Sequence, residues 1–459
     1  MIYTIRALLD ASLRGASLRG RGGVMRRTMW SVLGLVLASA PADAQSLRDK
    51  ISELFVFSPG QQPLFLSGTG THANHFITSA STQNGILISF LGNAVGTNVT
   101  SIPASATSGG STFRFEGGAP VRTSVSPGPI FAERAQTLGK GRVFVGVNIN
   151  RLHFESLRGV GLNDIRLNFV HENVTGAACD SIEGRSCDPY GVPRLENDVI
   201  ALRLALDLDM TVTSFFVSFG LLDRLDIGVT LPVVSTSLAG TSDAQIISFA
   251  ESTAAHFFGG TPSNPILSTS RSATGSASGM GDIALRVKVN VMQSDRTSFS
   301  LLGDARFPTG SAEDLLGSGH FAARALGILS AQFGPFSPHA NIGVLLRNTD
   351  SLNNAVLVTV GFDHLMAPWA TLAADVVTEL QVGESKVTLP GTVTYDVPFH
   401  RTVEPTNIPN RRDDLISASF GFKFLTGSGI TIVTNALVPI NEGGLRPNLM
   451  WTVGLEYNF

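Results

Sequence analysis

The chain has 459 residues, of which 15% are charged, and a formal net charge of −3. That balance argues against a nucleic-acid partner, which calls for a basic face. After the first 44 residues no run of 18 apolar residues occurs; helical membrane proteins are thereby excluded and β-barrels are not.

Arg26 and Arg27 precede the apolar run Met29–Ala38, and Ala42-Asp43-Ala44 follows it. Charged, apolar and small-residue regions in that order form a secretory signal, so residues 1–44 are expected to be removed and the mature chain to begin at Gln45. Met25 is the expected true start, because residues 1–24 add only a prefix with the near-repeat Ala-Ser-Leu-Arg-Gly. The apolar run is too short for a stop-transfer helix, which needs roughly 20 apolar residues.

Residues 45–141 form an N-terminal segment, expected to supply a plug and a first strand. Residues 45–82 lack alternation, and 118–141 are rich in Pro. His72 and His75 lie in Thr71–His75, but spacing fixes no further ligand, so no metal is expected. Gly139-Lys140-Gly141 lacks the spacing of a phosphate loop, and no cofactor is expected.

Residues 142–459 carry the period-2 signal of long strands. Segments fall near 142–154, 162–173, 198–219, 225–236, 280–292, 297–307, 320–332, 337–347, 354–364, 368–381, 414–425, 429–440 and 449–459. In 280–292, Ile283, Leu285, Val287, Val289 and Val291 oppose Asp282, Arg286, Lys288 and Asn290. In 198–219 the apolar phase moves from even positions (Ile200 to Leu208) to odd ones (Phe215, Val217, Phe219), which a β-bulge near Thr213–Ser214 would explain. A soluble β-sandwich also alternates. These strands, however, have the membrane-spanning length, whereas soluble strands average about 5–6 residues. Short connections such as Leu221–Arg224 and Gln293–Arg296 also alternate with long ones such as 237–279 and 382–413, the rule for outer-membrane barrels.

The expected fold is therefore all-β: a transmembrane antiparallel barrel. Thirteen segments leave an odd count, and single-chain barrels are even. One more strand, at Asn84–Leu91 or Thr112–Gly117, gives fourteen; twelve or sixteen would follow from a split or missed hairpin. Asp282, Arg286, Lys288, Asp304 and Arg306 are the candidate lumen polar residues, with lumen solvation and plug anchoring the plain role and a selective constriction the sharper one. Gly275-Ser276-Ala277-Ser278-Gly279 has Ala where a nucleophile elbow needs Ser. No nucleophile–base pair can be placed by spacing, and no enzyme is expected.

The last strand alternates Trp451, Val453, Leu455, Tyr457 and Phe459 with polar or small residues. It resembles the C-terminal signal by which the barrel assembly machinery of the bacterial outer membrane takes up its clients; Trp451, Tyr457 and Phe459 would carry it. Outer-membrane lipid is then the surrounding phase.

Internal motifs extend the resemblance. Phe219-Gly220-Leu221-Leu222-Asp223-Arg224-Leu225-Asp226-Ile227-Gly228, Ser278-Gly279-Met280-Gly281-Asp282, Asp304–Gly310, Asp314–Gly319 and Pro335–Gly343 occur in order. Together they resemble the outer-membrane transporter family of the phenol meta-cleavage pathway, similar in turn to the long-chain fatty-acid transporter barrels. Residues 128–142 also look like a family signature, to which the residues alone assign no chemistry. The resemblance implies passive uptake of apolar, hydrophobic or aromatic small molecules through a plugged barrel. The alternative is a non-transporting barrel that binds a partner through its outer loops.

Cys179 and Cys187 stand in a polar loop of an exported chain, where a local disulfide is expected. Non-reducing peptide mapping should find them bridged, and the bridge should stabilise that loop rather than the barrel; two free thiols would contradict this.

Overall fold

The computed structural model describes residues 45–459, apart from residues 93–112, a few further positions between 59 and 126, and residues 174–189, 192–196, 250–254 and 397–398. The expected signal and the two cysteines lie outside the described residues.

Twelve strands realise the alternation as one meander: β1 Val143–Leu157, β2 Val199–Leu222, β3 Leu225–Ile247, β4 Ile283–Gln293, β5 Thr297–Phe307, β6 Ala322–Ala331, β7 Phe336–Arg347, β8 Ala355–Ala367, β9 Ala370–Gln381, β10 Leu415–Leu425, β11 Thr431–Pro439 and β12 Leu445–Asn458. Each pairs antiparallel with the next, and β12 pairs with β1 from Leu445↔Leu157 to Asn458↔Phe144. The ring is closed.

The count corrects the expected fourteen. The segment expected at 162–173 is Ile165–Val170, and it pairs with Val199–Leu204 at the far end of β2. β1 already holds the adjacent stretch of β2, Leu208–Phe219. With that segment outside the ring, parity needs no extra strand. Phe113–Glu116, the described core of one candidate, pairs among the described residues only with Ala119–Arg122, in a separate hairpin. The described positions of the other, within 84–91, are helical. The first barrel strand is thus β1, not a strand of residues 45–141.

The outward face is apolar. On β4, Leu285 and Val287 are 49% and 46% exposed while Arg286 and Lys288 are 4% and 1%. On β12, Trp451, Val453 and Leu455 are exposed, and Thr452 and Glu456 are buried. A continuous apolar exterior around a polar interior is what hydrocarbon requires.

β2 and β3 are 24 and 23 residues long, about twice the 9–11 that cross a bilayer. Their upper halves pair with each other up to Val199↔Ile247. The upper half of β3 also pairs with Ser268–Met280, which leads through Gly281-Asp282 into β4. The three strands rise from one side of the ring as an extension. No register shift occurs at Thr213–Ser214, so the expected bulge is absent. Even positions of β2 face inward throughout; their surroundings change. Ile200 to Val212 are inward, apolar and buried, whereas below them Phe215, Val217 and Phe219 are outward, apolar and exposed. β3 makes the same switch at Val233, the partner of Thr213. The switch marks the level where hydrocarbon gives way to water on the outside.

The inner face of the extension is covered by the N-terminal segment. Helix α1, Leu47–Glu53, starts from a capping box in which Ser46 and Asp49 satisfy each other's backbone. Leu47, Ile51, Leu54 and Phe55 bury their side chains in one cluster with Leu204, Leu206 and Leu238. Ser242 Oγ donates to the Leu54 carbonyl, and Arg271 Nη2 donates to that of Phe57 at 2.7 Å.

Placing Arg at the lipid face near the midplane costs about 2–4 kcal/mol in such barrels. Val287→Arg should therefore lose the folded, heat-modifiable band on gels. Thr241→Arg, also outward but above the switch level, should keep it.

Candidate functional site

The lumen contains chain. Residues 128–141 descend inside the ring as a strap before turning up into β1, and Phe131, Ala132, Glu133, Arg134, Ala135, Thr137 and Leu138 are buried. Every turn of the descent is held by wall side chains. Asp375 on β9 accepts from the Phe131 N–H, at 3.4 Å. Arg286 pairs with Glu133 at 2.5 Å, and Arg134 with Asp363 at 2.8 Å. Lys288 Nζ donates to the carbonyls of Arg134 and Gln136 at 3.1 and 2.6 Å. Ser330 Oγ accepts from the Ala135 N–H at 3.0 Å.

At the bottom, the short turn between β2 and β3 grips the strap. The Asp226 carboxylate accepts from the Leu138 N–H at 3.0 and 3.1 Å, and Asp223 Oδ1 from the Lys140 N–H at 3.2 Å. Thr137 Oγ1 donates to the Asp223 carbonyl at 2.7 Å. Gly220 must be glycine, because a Cβ there would overlap the Gly139 carbonyl. The motif Phe219–Gly228 and the signature 128–142 are thus two halves of one contact.

Three of the remaining motifs, Ser278–Asp282, Asp304–Gly310 and Asp314–Gly319, meet at the top of β4, whereas Pro335–Gly343 forms the turn and first part of β7 at the other end. Asp282 accepts from the N–H groups of Gly310 (3.1 Å) and Ser318 (2.8 Å) and from Ser318 Oγ (2.5 Å). Thr309 Oγ1 donates to the Gly281 carbonyl at 2.7 Å. Gly281, Gly310 and Gly317 approach so closely that a Cβ on Gly310 would lie 2.9–3.0 Å from the Cα atoms of the other two. Asp282 therefore fastens the loop 308–321 to the start of β4. His320 Nδ1 turns to the Ser318 carbonyl, at 2.8 Å, so no Ser–His–Asp relay forms.

The five candidate lumen residues are all buried, and they serve different partners. Asp282 holds a loop; Arg286 and Lys288 hold the strap. Asp304 lies 3.3 Å from Arg306 and 3.4 Å from Arg324. Sequence reasoning missed the strap partners Glu133 and Arg134. A signal existed: they are the only charges in residues 128–139.

Two cavities lie above the strap. One, of about 60 Å³, is lined by Phe131, Leu152, Leu415, Leu437, Pro447 and Met450. The other, of about 80 Å³, is lined by Phe131, Leu326, Leu345 and Leu357 together with Glu133, Arg306, Arg324 and Glu379. Phe131 borders both. A water needs only ~10–15 Å³ measured this way, so each has room for several waters or a small apolar group. Beside the first cavity the β12–β1 ladder skips from Pro447↔Phe154 to Met450↔Leu152.

Four histidines also come together, outside the ring. His72 and His75 of the N-terminal segment meet His171, which follows Ile165–Val170, and His256, in the loop after β3. Burial and the neighbouring His256 and His75 rings hold His171 down to about 3, so its ring is neutral at physiological pH.

Residues 200–437 match the family described as "Putative MetA-pathway of phenol degradation". No curated protein sequence matches the chain. Among solved structures, an outer membrane channel from Pseudomonas putida F1 is 10% identical, with 71% of this chain and 98% of that one covered and a TM-score of 0.38. The toluene transporter TodX of P. putida is 10% identical over 78% of this chain and 99% of its own, with a TM-score of 0.30. A FadL homologue from Pseudomonas aeruginosa is 12% identical over 69% and 89%, with a TM-score of 0.29. Likenesses at this level carry no argument about function.

Removing one partner of a buried ion pair costs about 3–5 kcal/mol. Arg286→Ala, which takes away the cation opposite Glu133, should loosen the strap and raise single-channel conductance in planar bilayers. Adding Glu133→Ala should recover part of the loss in stability.

Proposed function

The chain belongs to this phenol-degradation family, and from that premise we propose that it is an outer-membrane barrel admitting hydrophobic or aromatic small molecules by passive diffusion. Lipopolysaccharide presents a polar barrier that apolar solutes do not dissolve through, and a barrel with long outer loops can offer them an apolar path. The observation that carries the reading is the pair of cavities meeting at Phe131. The first is lined mainly by apolar side chains, and the second sets Phe131, Leu326, Leu345 and Leu357 beside polar and charged groups, the mix of apolar wall and a few polar groups that a small-molecule site uses.

The strap fills the lumen below Phe131. A solute in the upper cavities therefore leaves either by displacing the strap or sideways. The sideways route has a candidate exit, since Pro447 and Met450 line the first cavity and flank the break in the ladder. Pro447 brings no N–H to that ladder. Export by the signal of residues 1–44, removal of that signal, recognition of Trp451, Tyr457 and Phe459 by the assembly machinery, and the disulfide of Cys179 with Cys187 belong to the same proposal.

The filled lower lumen is also the observation that favours the second reading, a barrel that binds a partner through its outer loops and transports nothing. Uptake of a labelled apolar solute into proteoliposomes separates the two. Flux should exceed that of empty liposomes, rise severalfold with Phe131→Ala and fall with Phe131→Trp. Flux no greater than in empty liposomes would sink the transport reading. A cross-link between Ala135→Cys and Ser330→Cys, pinning the strap to β6, should abolish flux through the lumen and spare flux through the wall.

A further inference from the structure

The four histidines have the form of a built site. One nitrogen from each of His72, His75, His171 and His256 lies within 4.8 Å of the others. The rings meet edge-on or tilted and none stack: 80° between His75 and His171, 87° between His72 and His256, 58° between His171 and His256. Nitrogen edges, not ring faces, converge. His75 Nδ1 and His171 Nε2 are already in direct contact.

The outer nitrogens are fixed from behind. His171 Nδ1 is 2.7 Å from the Tyr190 carbonyl. His256 Nδ1 is 2.7 Å from Asp198 Oδ2, and both side chains are fully buried. The other Asp198 oxygen accepts from the Phe249 N–H, at 3.3 Å, so the carboxylate cannot swing away freely. A carboxylate or carbonyl behind an imidazole sets the tautomer that presents Nε2 as a lone pair, the arrangement found behind metal-bound histidines. Nε2 of His256, the nitrogen left over from the Asp198 contact, is buried and has no hydrogen-bond partner among the described residues. A buried polar atom left so is uncommon and asks for a missing ligand.

We propose that these four histidines bind one zinc-class transition-metal ion. Imidazole nitrogens suit zinc, copper and nickel, and do not suit magnesium or calcium, which take oxygen. Tetrahedral zinc at about 2.0–2.1 Å from each nitrogen sets the nitrogens about 3.3 Å apart. The present nitrogen spacings, from the direct His75–His171 contact up to 4.8 Å, bracket that distance. Four protein ligands leave no open position, so the site is structural and performs no reaction. His72, the one ligand not fully buried, gives the ion its way in. Bound there, the ion joins the N-terminal segment, the end of Ile165–Val170 and the loop after β3. This inference is independent of transport: it concerns how the N-terminal segment is fastened to the extension.

Metal-stripped full-length barrel, folded in detergent, is titrated with Zn²⁺ against a chromophoric chelator and separately loaded with Co²⁺. One Zn²⁺ per chain and visible absorption of tetrahedral Co²⁺ are expected. His171→Ala and His256→Ala should abolish both. His153→Ala, at the exposed cluster with Asp207 and Asp209, should change neither. Asp198→Asn should weaken binding 10–100-fold while leaving four ligands. If a buried substitution prevents folding, as heat-modifiable migration reports, His72→Ala serves instead and should weaken binding at least tenfold. Folded wild-type protein that takes up no stoichiometric Zn²⁺, or binding that survives loss of His72, His171 and His256 singly, overturns the proposal.

Discussion

A hydrocarbon phase offers no partner to a peptide N–H or carbonyl, and the rest of this structure follows from that. Each barrel strand must be paired on both edges, so the meander must end where it began, with β12 on β1. Closure leaves an interior lined by every second residue. Twelve strands enclose more space than their side chains fill, and the strap occupies the surplus. The charges that would be intolerable on the outer face become its fasteners: Arg286 for Glu133, Asp363 for Arg134, Lys288 for two carbonyls.

The strands were legible because lipid outside and polar chain inside impose opposite demands on neighbouring residues. Val287 and Lys288 display this in two letters. The errors share one cause. Alternation reports which face is apolar, not which face points inward. On β2 the apolar face changes side at Thr213 while the backbone continues unbroken, because the outer medium changes from water to hydrocarbon. Read as geometry, this became a bulge. Likewise Ile165–Val170 alternates as well as any barrel strand, but pairs above the membrane, so counting it produced two strands too many.

The site was legible in part. Inward charges on β4 and β5 follow from strand phase, but their partners do not, since no period links Arg286 to Glu133, 153 positions away. The recurring motifs were visible as letters and opaque as chemistry: Asp282 and the glycines about it are a clasp for a loop, and Phe219–Gly228 a seat for the strap. The histidine cluster was half visible. His72 and His75 are neighbours in sequence, but His171 and His256 reach them only because the extension folds beside the N-terminal segment. Ligands drawn from three separate stretches leave no spacing to read.

The strap also sets an order of events. It immediately precedes β1, and β1 is one lip of the seam that β12 closes. Chain already inside cannot be delivered through a completed wall without threading, and folded chains avoid threading. The strap must therefore lie in the forming channel while the seam is still open. Its last turn, bonded to the β2–β3 hairpin through Gly141 and Gly220, ties it to strands made long before β12. The barrel is thus sealed around its own stopper: the two ends of one continuous stretch of chain meet with the stopper already in place, and a wall zipped in the opposite order would be an empty pipe.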